Sequence, residues 1–123
     1  MKNLKLLLLS FLLIGLFSCD ANLSLNTIKV DIINNRNEVS MNEELEISFR
    51  VRDSEGIEKV QIEIPVLSVD KTIDEFSDEN FWESEEQFFV GETTVTGAFE
   101  IFTTVTDREG EVYMETDSFT ISE

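Results

Sequence analysis

The chain has no histidine, one cysteine, one proline and five glycines in 123 residues. Without histidine there is no Ser-His or Cys-His catalysis and no His-ligated metal centre. A single cysteine excludes an intrachain disulfide and a thiolate metal cluster. Basic residues are scarce as well, 9 against 26 acidic ones, for a formal charge of −17. Nucleic acid needs Lys and Arg at its phosphates, so this field argues against such a partner. No P-loop, Gly-rich dinucleotide turn or Gly-x-Ser-x-Gly elbow occurs. Paired carboxylates can hydrolyse glycosides, but no pair stands out among the many acids. The chain reads as a non-enzyme.

What is present begins with an export signal. Met1 to Lys5 carries two lysines, and Leu6 to Phe17 is apolar except for Ser10 and Gly15. Twelve such residues are too few to span a bilayer comfortably and fit a signal-peptide core. The stretch Leu16-Phe17-Ser18-Cys19 resembles the lipobox of bacterial lipoproteins, with Phe17 a mild departure from the usual residue. That resemblance implies cleavage before Cys19, diacylation of its thiol and acylation of the new amine. The alternative is an ordinary signal peptide cut near Ser18, which would leave an isolated thiol in an oxidising compartment. Removal of the signal takes Lys2 and Lys5, so 9 basic residues become 7 and the charge moves from −17 to −19. The expected location is the cell envelope, with the anchor in the outer membrane.

Residues 19–26 then form the lipidated cysteine and a short polar tether, and residues 27–123 suffice for one domain. From Ile28 the hydrophobic period becomes two. Leu45, Ile47, Phe49 and Val51 alternate with Glu46, Ser48, Arg50 and Arg52, a strand with one dry face and one wet face. Val60, Ile62 and Ile64 repeat the pattern until Pro65, which cannot donate to a ladder. Phe99, Ile101, Thr103 and Val105 mark another strand, and Glu86 to Val90 a short one. Val112 to Ile121 changes its apolar parity part-way, which predicts a bulge between Glu115 and Ser118. Six or seven short strands with regular turns predict an all-β, antiparallel sandwich.

From Thr27 to Ile121 the chain resembles the immunoglobulin-like domains of small bacterial surface lipoproteins. The resemblance rests on Glu44-Leu45-Glu46-Ile47-Ser48-Phe49, Asp53-x-x-Gly56-Ile57-x-x-Val60, Gly97-x-Phe99, Val105-Thr106-Asp107-x-x-Gly110 and Phe119-Thr120-Ile121. These motifs imply a fold and carry no chemistry. Some relatives have histidines in the later strands, and no metal role of theirs transfers to a chain without any. Phe99 stands where many such sandwiches place a corner tyrosine, and it lacks the hydroxyl that makes the bond.

Two turns, Asp53-Ser54-Glu55-Gly56 and Asp107-Arg108-Glu109-Gly110, share the pattern Asp-x-Glu-Gly. Turn chemistry accounts for it most simply: Asp bonds backbone amides and Gly takes a positive φ. The alternative makes Asp53, Glu55, Asp107 and Glu109 calcium ligands, since hard oxygens at one end of a sandwich can share an ion. The stretch from Val69 to Gln87 is dense in acids and holds Ile73, Phe76, Phe81 and Trp82. It reads as a loop with one helical turn whose aromatics close the sandwich edge. Alternatively Phe81 and Trp82, with the outward-pointing Phe102, form a recognition surface for a glycan or a protein. The sequence thus points to a membrane-tethered, non-catalytic binding or structural module. Its alternative is a calcium-dependent or carbohydrate-binding one.

Overall fold

The computed structural model describes residues 26–92 and 95–123. The expected export signal, the expected lipidation site Cys19 and the expected tether up to residue 25 lie outside the described residues. Among the described residues there are eight strands: β1 Thr27–Ile32, β2 Glu38–Ser40, β3 Glu44–Arg52, β4 Ile57–Ile64, β5 Val69–Ile73, β6 Phe81–Phe89, β7 Gly97–Asp107 and β8 Val112–Ser122. They form a three-stranded sheet, β1-β3-β6, and a five-stranded sheet, β2-β8-β7-β4-β5. All pairings are antiparallel except that of β2 with β8. This is an immunoglobulin-like sandwich: β1, β3 and β6 stand in the places of strands A, B and E, and β4, β7 and β8 in those of C, F and G.

The alternation read from the sequence builds the core. Leu45, Ile47, Phe49 and Val51 of β3 are fully buried and face Val60, Ile62, Ile64, Ile101 and Val105 of the other sheet. Ile57, Val39, Val90, Phe119 and Ile121 complete it. Phe99 is only half-buried and packs on Phe119, ring centroids 6.3 Å apart. Pro65 ends β4 as expected and opens a single 3-10 turn, Pro65–Leu67.

Three expectations require correction. The acidic stretch after Val69 is β5 and then β6, a nine-residue strand, rather than a loop with a helical turn. Its inward residues Trp82, Ser84, Glu86 and Phe88 mix polar with apolar, which hides the period. The strand count is eight because β2 has only three residues and no sequence period at all. Finally, β8 has no bulge: its register with β7 is continuous from Gly97↔Ile121 to Thr106↔Val112. Val112 and Met114 are simply outward, and the inward positions between Tyr113 and Phe119 are filled by Glu115 and Asp117. Burial raises the Asp117 carboxyl above its ordinary value, and the neighbouring Glu115 and Asp31 carboxylates push the same way.

Polar groups also close the long edge between the sheets. Lys71 on β5 forms an ion pair with Glu86 on β6, and Ser84 donates a second hydrogen bond to the same carboxylate. Burial opposes ionisation of Glu86, but these bonds outweigh it and hold its carboxyl below the usual value. An inward charge at a sheet edge disfavours pairing with a foreign strand, since that strand would have to bury it.

Phe49, central on β3 and in contact distance of Trp82 (centroids 6.3 Å apart), is the most informative core position. Phe49→Ala is expected to cost about 3–5 kcal/mol, the range for truncating a core phenylalanine. Chemical denaturation of the variant reads this directly, and a loss under about 1 kcal/mol would contradict the register.

Candidate functional site

The two Asp-x-Glu-Gly turns lie side by side at one end of the sandwich. The turn between β3 and β4 and the turn between β7 and β8 touch through a hydrogen bond from Arg108 N–H to the Gly56 carbonyl, 3.0 Å. Gly56 has φ +96°, and a Cβ there would lie 2.8 Å from Arg108 Cδ. Both the backbone conformation and the space therefore require glycine. Gly110 has φ +85° with nothing near its missing Cβ, so only its conformation matters. The segment before β6 joins the same end: Asn80 O accepts from Asp53 N–H at 2.9 Å, and Glu79 O from Ile57 N–H at 2.8 Å. The start of the described chain is here too. Ser54 donates from its backbone and its hydroxyl to Asn26 Oδ1, at 3.1 and 3.3 Å.

Asp53 and Asp107 are completely buried, and most of their oxygens are committed. Asp53 Oδ1 accepts from Glu55 N–H at 2.8 Å, and its Oδ2 from the Tyr113 hydroxyl at 2.7 Å. Asp107 Oδ1 accepts from the N–H groups of Glu109 and Glu111, at 3.0 and 2.9 Å, while Oδ2 is buried without a partner. Burial raises the Tyr113 pKa far above its ordinary value, and the Asp53 hydrogen bond and the surrounding negative charge raise it further. Glu55 and Glu109 point into solvent. Among the described residues, no three acidic side chains converge where a metal ion could sit. The turns thus show the amide-bonding chemistry their sequence suggests, and the two glutamates stand apart from the two aspartates.

Tyr113 was not legible as part of this site. Extending the Phe119/Ile121 parity backwards would have turned it inward, but the expected bulge broke that parity. The Tyr113 hydroxyl comes from β8 and bonds a carboxylate, while Phe99 lies toward the other end of the β7–β8 ladder and has no part in it.

The three aromatic candidates do not meet. Phe81 and Trp82 are consecutive on β6 and point to opposite faces. Trp82 is half-buried against Phe49 and stands edge-on to Phe76, interplanar angle 86°. It cannot share a flat sugar-stacking platform with Phe81, which lies outward beneath the Arg52 guanidinium, 5.5 Å from the ring centroid. Phe102 is on the other sheet, where it lines a shallow cavity of about 230 Å³ with Pro65, Val66 and Glu100 at the opposite end of the sandwich. A second cavity, about 360 Å³, lies between Glu58, Lys59, Asp74 and Thr106.

No protein-family model matches the chain, and no curated protein sequence does. Solved structures are similar at the level of chain path. A Niemann-Pick type C2 protein from the Japanese carpenter ant has a TM-score of 0.49 at 14% identity, covering 80% of this chain and 93% of that one. A bacterial immunoglobulin-like domain from the M. primoryensis ice-binding adhesin gives 0.43 at 17%, covering 80% and 98%. The PmoD soluble domain from Methylocystis sp. gives 0.44 at 12%, covering 80% and 97%. None of these similarities is close enough to transfer a ligand.

Tyr113 is the only tyrosine, so a phenolate titration reads it alone. Its folded pKa is raised, so its contribution to stability is intact below the ordinary value near 10 and is lost as pH rises beyond it. The phenol is expected to stay protonated until the chain unfolds in alkali. Tyr113→Phe should leave a buried Asp53 oxygen unpaired, cost about 1–3 kcal/mol at neutral pH, and flatten the alkaline fall in stability. A phenolate appearing near pH 10 in folded protein would contradict the bond.

Proposed function

We propose that the chain is a lipid-anchored module of the cell envelope that binds or braces a partner and catalyses no reaction. The observation that carries this reading is the end at which the chain enters the sandwich. Asn26 is stapled to Ser54, and Thr27 opens β1 opposite Arg52, so a tether preceding Asn26 would leave from the stitched loop end. Seven residues, Asp20 to Asn26, span at most about 25 Å. A lipid on Cys19 would then hold that end close to the bilayer and turn the opposite end, with Phe102 and its shallow cavity, away from it. Two or three acyl chains give stable anchoring where one would not. The buried aspartates support a non-catalytic reading of the loop end, because amides and Tyr113 already occupy three of their four oxygens.

The anchor is tested by metabolic labelling. Cys19→Ala is expected to accumulate as an unprocessed precursor that takes up no labelled fatty acid. Normal processing and normal envelope retention of that variant would overturn the proposal.

Calcium at the two turns is the second reading, favoured by the unpartnered Asp107 Oδ2. It is separated from simple charge screening by melting curves. Calcium and sodium chloride of equal ionic strength should raise the melting temperature equally if the turns are purely structural. A larger calcium shift that Asp53→Asn with Asp107→Asn removes would establish an ion there.

A further inference from the structure

The outer face of the three-stranded sheet carries a charge order that its own copy can read. Along the central strand β3 the outward residues are Glu44, Glu46, Ser48, Arg50 and Arg52, acidic in one half and basic in the other. Turned end for end, this series places each acid opposite a base, with Ser48 at the centre. The flanking strands add apolar side chains toward its ends, and β6 sets Glu83 beside Arg50. On β6, Phe89 lies in register beside Glu44 and Phe81 beside Arg52. Phe89 is 62% exposed and Phe81 43%. Beside Glu46, Ile33 continues β1 through a backbone hydrogen bond and is 48% exposed. Half of the exposed large apolar side chains among the described residues thus sit on this one face, at its two ends.

We infer that this face pairs with the same face of a second copy, strands antiparallel, about a two-fold axis running through the Ser48 row. Arg52 of each copy then meets Glu44 of the other, Arg50 meets Glu46, and Phe81 meets Phe89. This is an isologous contact, the kind a two-fold dimer requires. The bonds that Arg50 and Arg52 make within one copy, to Glu83 at 2.9 Å and over Phe81, are half-exposed and exchange at little cost. The central row also sets Asp31 and Glu85 near their own copies, which limits affinity. Two nine-residue strands and the six-residue β1 cover on the order of 400 Å² per copy. That is small against the roughly 800 Å² per partner of a standard interface, so association in free solution is weak. Confinement to a membrane surface raises the effective concentration; this part rests on the anchor proposed above.

Ser48→Cys places a thiol at the axis, and the test is cross-linking of full-length Ser48→Cys protein with a short bis-maleimide. It is run in native envelopes and on purified protein in detergent at high concentration, with the unsubstituted chain giving the Cys19 background. A symmetric dimer is expected in both. Adding Arg50→Glu with Arg52→Glu, or Glu44→Arg with Glu46→Arg, should each cut the cross-link at least about tenfold by opposing like charges. Mixing the two charge variants should restore it as a heterodimer, which also shows that both fold. No cross-link above background in either setting overturns the inference, as does a cross-link indifferent to the swaps or a mixture that fails to recover. Binding to phosphatidylglycerol vesicles that is lost with Arg50→Glu and Arg52→Glu, without any charge-dependent cross-link, would also overturn it and assign the basic half to lipid. Fatty-acid labelling at Cys19 reads the anchor separately, so either proposal can fail alone.

Discussion

A carboxylate without solvent is tolerable only where hydrogen-bond donors replace its water. Asp53 meets that condition with both oxygens and Asp107 with one, at the ends of β3 and β7, and one end of the sandwich is arranged around them. Their oxygens draw in the amides of Glu55, Glu109 and Glu111, which closes both turns. Tyr113 is drawn in from a third strand, and Gly56 is forced to remain side-chain-free so that Arg108 can cross it. Asn26, Asn80 and Glu79 then bond to the closed turns, which ties the entry of the chain and the approach to β6 to the same point. Acidic residues here act as turn-formers inside the protein, while most of the remaining negative charge is on the surface.

The apolar core imposes the complementary constraint. Because β3 is central in its sheet and buries Leu45, Ile47, Phe49 and Val51 on one side, every charge it carries must face out. The strict alternation that makes the strand legible is therefore also what gathers Glu44, Glu46, Arg50 and Arg52 on a single surface. Fold and surface chemistry are here one pattern seen from two sides.

What could be read from the chain follows from where a strand lies. Central strands β3, β4 and β7 have one dry side and announce themselves by period two, so the sandwich and most of its core were legible. Two strands do not: β6, at a sheet edge, and β8, which β2 covers only from Thr120 to Ser122. On β6, Phe81 and Phe89 face outward while Ser84 and Glu86 face inward toward Lys71, so hydrophobicity there marks neither the strand nor its orientation. On β8, inward Glu115 and Asp117 imitate a parity break, which produced a bulge that does not exist and concealed Tyr113. The aromatic surface failed for a related reason: residues 81 and 82 are neighbours in sequence, and the pleat puts neighbours on opposite faces. The acidic turns were legible in their chemistry, though not in the burial of their aspartates, which depends on three other segments of chain folding over them.

Whether that loop end is a structural part of the sandwich decides the role of its two aspartates. Amide hydrogen exchange of the Glu55, Glu109 and Glu111 N–H groups measures this most directly, since each is bonded to a buried aspartate oxygen. Protection of the same order as the β3 amides is the expected result. Exchange at the rate of an open, solvated loop would show that the aspartates are free, and would return these turns to the role of an accessible ligand site.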